Sequence, residues 1–128
     1  MPQTYHFDHV HIVSKDPKTV ANYLHTMFDA KVIETVQDGK PRIDLDLNGL
    51  TIFLFRAAPD DNLPACSPGR YLGLDHFGLH VDNLDEACAE LKRRGAEFVT
   101  EPFVIRPGLK IAFIRGPENV RIEILERS

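Results

Sequence analysis

A chain of 128 residues, 43% hydrophobic and 27% charged, has the length and apolar content of one soluble domain with its own core. Its net charge of -4 and pI near 5.8 offer no basic footprint for nucleic acid. No apolar run reaches bilayer length and the N-terminus lacks a signal-peptide core, so a cytoplasmic protein without nucleic-acid or membrane partners is expected.

The first apolar stretch, "FDHVHIV" (7–13), alternates as a strand with Val10 and Ile12 on one face. A helix is predicted from Asp16-Pro17, since Asp caps well and Pro needs no amide hydrogen at the first helical position. Val20, Tyr23, Leu24, Met27 and Phe28 then share one stripe. "KVIETV" (31–36) leaves its strand character open, whereas "RIDLDL" (42–47) has period two and "LTIFLFR" (50–56) follows a turn signal at "LNG". "APDDNLPACSPGRYLG" is rich in Pro and Gly and reads as a surface linker. The same order then returns. "LDHFGLHV" (74–81) is a strand, and Asn83 with Glu86 forms a capping box for a helix whose stripe is Leu84, Ala87, Cys88 and Leu91. Gly95 suits its stop. "EFVTEPFVI" (97–105) is again open as a strand, and "LKIAFIR", a "GPEN" turn and "VRIEILE" close the chain.

A shift of 67 lays Asp8-His9 on Asp75-His76 and Leu24 on Leu91, and the closing strands match at a shift of 70. The chain is one unit written twice. The expected architecture is a single α+β domain over 1–128, with a βαβββ module at about 5–57, a linker at about 58–72 and a second module at about 73–128. The helices cover one face of each sheet, so the other face must be closed by a partner sheet or kept as a cavity.

Strand alternation assigns side chains to that second face. If Val10 and Ile12 lie under the first helix, His9, His11 and Val13 point away from it. Phe77, Leu79 and Val81 likewise leave His76, Gly78 and His80, while Ile122 and Ile124 leave Arg121, Glu123 and Leu125. The matched positions in the first copy are Thr51, Phe53 and Phe55. His9, His76 and Glu123 thus fall at equivalent ends of the copies, with Phe53 where symmetry would put a fourth ligand. Two imidazoles and a carboxylate suit a borderline divalent metal and leave positions open for substrate or water. The bland alternative pairs Glu123 with Arg121 or Arg115. Cys88 reads as a core filler and Cys66 as a loop thiol, with no metal spacing or disulfide pairing between them. Asp8 and Asp75 read as starting turns or fixing neighbouring backbone.

In "FDHVHIV", "LDHFGLHVDNLDEACAELKRRGAEF" and "IAFIRGPENVRIEILE" the sequence resembles the vicinal oxygen chelate superfamily of glyoxalases, fosfomycin-resistance proteins, methylmalonyl-CoA epimerase, extradiol dioxygenases and bleomycin-binding proteins. The likeness covers nearly the whole chain. It implies paired βαβββ modules forming a cupped, mostly antiparallel sheet around a metal site, usually in a homodimer. It also implies one divalent ion (Fe, Mn, Ni or Zn) on His9, His76 and Glu123. Phe53 departs from the pattern, because glyoxalases and the epimerase carry a fourth ligand there. His-His-Glu alone is more like the extradiol dioxygenases and fosfomycin-resistance proteins, although most extradiol enzymes have four modules.

The expectation is a metal-dependent enzyme of glyoxalase type, a lyase, isomerase or transferase chelating the vicinal oxygens of a small metabolite. Phe53, Phe55, Phe113 and Arg121 are the substrate-side residues suggested by strand parity, and His11 and His80 the candidate acid/base groups. The alternatives are an Fe(II) ring-cleaving dioxygenase with the same ligands, and a metal-free, bleomycin-resistance-like binding protein.

Overall fold

The computed structural model describes residues 2–128. Their contacts divide into two compact units, one running up to Leu63 and the other spanning Pro64–Ser128. In the first unit, strand β1 (Val10–Ser14) is followed by helix α1 (Pro17–Phe28) and strands β2 (Lys31–Gln37), β3 (Lys40–Leu47) and β4 (Leu50–Arg56). The second unit repeats this with β5 (His76–His80), α2 (Leu84–Arg93), β6 (Glu97–Arg106), β7 (Leu109–Arg115) and β8 (Arg121–Arg127). The sheet orders are β1-β4-β3-β2 and β5-β8-β7-β6. First and last strands of each unit pair in parallel and the remaining pairs are antiparallel, so both sheets are mixed. This is α+β with two βαβββ units. Each helix carries the chain across its sheet, from the first strand at one edge to the second strand at the other.

Local chemistry explains the element ends. The Asp16 carboxylate accepts from the Lys18 amide at 3.2 Å and from the Thr19 hydroxyl at 2.9 Å, which starts α1. The hydrogen bond from Thr19 also holds the Asp16 carboxyl below its ordinary range. Asn83 Oδ1 accepts from the Glu86 amide at 3.0 Å and caps α2. Replacing Asn83 by Ala should lower stability by about 1 kcal/mol, read as a lower urea midpoint at unchanged slope. The β2–β3 and β3–β4 hairpins turn at Asp38-Gly39 and Asn48-Gly49, where both residues of each pair have positive φ. That is the two-residue turn whose twist matches paired strands. The "GPEN" turn is a short 3-10 segment, Pro117–Asn119.

Both segments left open by the sequence are strands. β2 and β6 lie at sheet edges, and β6 pairs with β7 through register shifts between Phe98 and Thr100, Thr100 and Phe103, and Val104 and Arg106. Pro102 is tolerated there because an edge strand can spare an amide hydrogen.

Each helix lays its apolar stripe on its own sheet. Val20, Ala21, Leu24 and Met27 of α1 are buried together with Leu45, Leu47, Ile52 and Leu54. In the second unit Leu84, Cys88 and Leu91 are buried together with Ala112, Ile114, Ile122 and Ile124. Each Val, Leu, Ile or Met among them contributes about 1.5–3 kcal/mol by leaving water. The strict alternation this imposes turns the intervening residues to the opposite face.

Candidate functional site

In the second unit the parallel pairing of β5 with β8 sets His76 opposite Arg121 and Gly78 opposite Glu123. The Glu123 carboxylate lies toward His76, with Oε1 at 3.4 Å from His76 Nε2. Gly78 makes the room. A Cβ there would stand 3.1 Å from Glu123 Oε1 and 3.1 Å from a Leu125 methyl. Glycine inside a strand often marks such a close approach.

Behind the imidazole, His76 Nδ1 donates to Asp75 Oδ2 at 2.7 Å. Asp75 in turn accepts from Arg121 Nη1 at 3.0 and 3.3 Å. The hydrogen bond from His76, with help from the Arg121 charge, holds the Asp75 carboxyl below the usual carboxylate range. Phe113 meets His76 edge-on at 4.9 Å, and the Arg121 guanidinium sits 4.7 Å from the Phe113 ring centre. An ionised Asp75 fixes the proton of a neutral His76 on Nδ1 and leaves the lone pair on Nε2. That lone pair then faces a carboxylate oxygen. Two electron-pair donors at this distance attract only when a cation, a proton or a metal ion, lies between them. The donor set therefore fits a divalent metal, in the carboxylate–histidine arrangement that raises ligand basicity and fixes ring orientation.

The first unit repeats half of this. His9 immediately precedes β1, and its Nδ1 donates to Asp8 Oδ2 at 2.7 Å. Where the second unit has Glu123, the first has Phe53, its ring 4.2 Å from the His9 ring. Where the second has Gly78, the first has His11, which meets Phe55 edge-on at 5.5 Å and Phe53 at 6.4 Å. One copy makes an opening beside a carboxylate. The other fills the same positions with rings, and these border a cavity of about 730 Å³.

Of the residues expected at the site, His76, Glu123, Phe113 and Arg121 lie together in the second unit, and His9, His11, Phe53 and Phe55 in the first. Within neither unit do three or more His, Cys, Asp and Glu side chains form a metal cage among the described residues. His80 closes β5, exposed and opposite Leu125. Arg121 engages Asp75 and Phe113, so it buttresses His76 through Asp75. Cys88 is buried, and burial pushes its thiol up to about 11. Sequence reasoning gives Asp8 and Asp75 to turns or neighbouring backbone and places Gly78 on this face without a role. The repeated Asp-His pair and the strand-interior Gly were the signals available.

A family model described as the Glyoxalase/Bleomycin resistance protein/Dioxygenase superfamily matches residues 8–113. That span includes His9 and His76 and stops short of Glu123. Lactoylglutathione lyase from Shigella flexneri is 35% identical over 52 residues, 40% of this chain and 38% of that protein. The matched stretch is less than half the length of each such curated relative. Among solved structures, a glyoxalase family protein from Bacillus cereus aligns at TM-score 0.79 and 18% identity, over 98% of this chain and 96% of that one. A glyoxylase/bleomycin resistance protein/dioxygenase domain from Frankia sp. aligns at TM-score 0.76 and 21% identity, over 98% and 100%. Likeness at these identities is a likeness of fold.

Proposed function

Since the chain belongs to the glyoxalase/bleomycin resistance protein/dioxygenase superfamily, we propose that it is a metal-dependent enzyme of glyoxalase type, acting as lyase, isomerase or transferase on a small metabolite with two adjacent oxygens. The observation that carries this is His76 Nε2 set 3.4 Å from Glu123 Oε1 with Asp75 bonded behind the ring. His76 and Glu123 are two of the proposed ligands. His9, presented with Asp8 behind it as Asp75 stands behind His76, is the third. The ion is Fe, Mn, Ni or Zn, and when bound it supplies Lewis acidity toward the two substrate oxygens.

The chain's own side chains do the rest. Asp75 holds the proton at His76 Nδ1, and Arg121 keeps Asp75 in place. Gly78 leaves the volume in which the Glu123 carboxylate approaches His76. Phe113 bars rotation of the imidazole from one side. His11 and His80 are the proposed proton carriers. The proposed working form is a cytoplasmic homodimer, following the family resemblance.

Lyase chemistry agrees with the names of the curated relatives. Phe53 in place of a fourth ligand argues against lactoylglutathione itself as substrate, and it favours a second reading as an Fe(II) ring-cleaving dioxygenase. Elemental analysis after reconstitution, followed by turnover assays with and without dioxygen, separates the readings. Stoichiometric metal and metal-dependent turnover without oxygen uptake is the expected result. Fe(II)-dependent oxygen uptake with a catechol would select the dioxygenase. No metal under any reconstitution would leave a binding protein.

A further inference from the structure

The cavity of the first unit has a chemistry of its own. Besides the rings of His9, His11, Phe53 and Phe55, its lining holds Lys40, Arg42 and Arg56 against the Asp38 carboxylate, and Asp44 on the same strand face pairs with Arg42, so one positive charge is in excess. This positive cluster stands in a chain whose net charge is -4. It is also ordered. Arg42 Nε donates to both oxygens of Asp44 at 3.0 and 3.1 Å, and its Nη1 donates to Gln37 at 2.9 Å. The guanidinium so fixed lies 4.7 Å from the Phe53 ring centre. Arg56 is anchored by donating to the Lys15 carbonyl at 3.0 Å.

The strand pattern explains the cluster. In β3, Ile43, Leu45 and Leu47 face α1, so Lys40, Arg42 and Asp44 turn to the cavity side. Phe55 is 60% exposed, leaving an aromatic face uncovered within the unit. Rings recognise rings, and oriented cations in a partly enclosed cleft raise the local concentration of anions. A cationic ligand would meet repulsion from the same groups.

We infer that the substrate is an aromatic acid, its ring held among Phe53, Phe55 and the histidine rings and its carboxylate by Lys40 and Arg42. The inference rests on the proposed reading of this sheet face as the substrate side. Three probes sort its elements. Mandelate has a ring, adjacent oxygens and a negative charge; 1-phenylethane-1,2-diol keeps the ring and adjacent oxygens without the charge; lactate keeps the charge and oxygens without the ring. Titration calorimetry on the chelator-treated protein at low salt is expected to give mandelate at least tenfold tighter than either comparator. Lys40→Met and Arg42→Met should each weaken mandelate several-fold and leave the diol unchanged. Lys40 is exposed, so its substitution tests the charge without disturbing the fold.

The inference is overturned if the diol or lactate matches mandelate, if mandelate does not bind, or if both methionine variants bind it as the wild type does. Because the titration uses metal-free protein, it is independent of the metal reading. A chain that takes up no metal yet selects mandelate would overturn the metal proposal alone. A chain that binds metal yet ignores the ring or the charge would overturn this one alone.

Discussion

A Glu123→Gln variant is expected to lose stoichiometric metal and, with it, metal-dependent turnover. Gln keeps the size of Glu and exchanges one carboxylate oxygen for an amide, so it removes the charge with little change in shape. In the proposed site Glu123 is the one anionic ligand. An amide oxygen binds a borderline divalent ion far more weakly than a carboxylate, and the loss in affinity should exceed the 10–100-fold typical of disturbing a group behind a ligand. The measurement is metal content by elemental analysis after dialysis against a buffered metal ion, beside a thermal melt of the metal-free protein. The melt guards against a trivial result, because the variant must fold as the wild type does for the comparison to count. Retention of wild-type metal content would sink the assignment of Glu123. His76→Ala should give the same loss, since it removes the other half of the 3.4 Å contact.

How much of this was legible without coordinates follows from particular residues. The duplication, both helix starts and the division of each strand into two faces were readable, because caps and apolar periodicity act over a few residues. Asp16 and Asn83 cap where expected. Ile52, Ile122 and Ile124 are buried while Phe53 and Glu123 face the other way, as alternation requires. The β6 strand was obscured for a physical reason. Its register shifts break the period-two signal that identifies a strand, and Pro102 sits within it. The Asp38-Gly39 hairpin carries a plain two-residue turn signal in the sequence.

The site was legible to the level of which residues share a face, and no further. Arg121 was an equal candidate to pair with Glu123. It pairs with Asp75 instead, because the parallel β5–β8 register puts Arg121 beside the start of β5, next to Asp75. Side-chain pairing of that kind depends on strand register, which a sequence does not print. Asp75 was expected to serve the backbone and instead serves the imidazole that follows it.

That revised role gives the second large effect. Asp75→Asn should lower metal affinity by about 10–100-fold while leaving the fold intact. In the wild type the carboxylate can only accept, so in a neutral imidazole it places the proton on Nδ1 and leaves Nε2 as the ligating nitrogen. An asparagine can present either its oxygen or its NH2 to the ring. When the NH2 faces Nδ1, the proton moves to Nε2, and that nitrogen then donates and can no longer ligate. The amide also surrenders the ion pair with Arg121, which loosens the guanidinium from the ring of Phe113. Acid gives a related test in the wild type. The Asp75 pKa is lowered in the folded chain, so its contribution to stability is complete above the ordinary carboxylate range and is lost as pH falls through the depressed value. The Asn variant lacks that contribution at every pH. The difference in melting temperature between wild type and Asp75→Asn should therefore be constant near neutrality and shrink only on the acid side of the usual carboxylate range. Equal metal affinity in the two proteins would show that Asp75 does not set the state of His76. A stability difference unchanged down to strong acid would show that its charge is not what holds the Asp75–Arg121 pair.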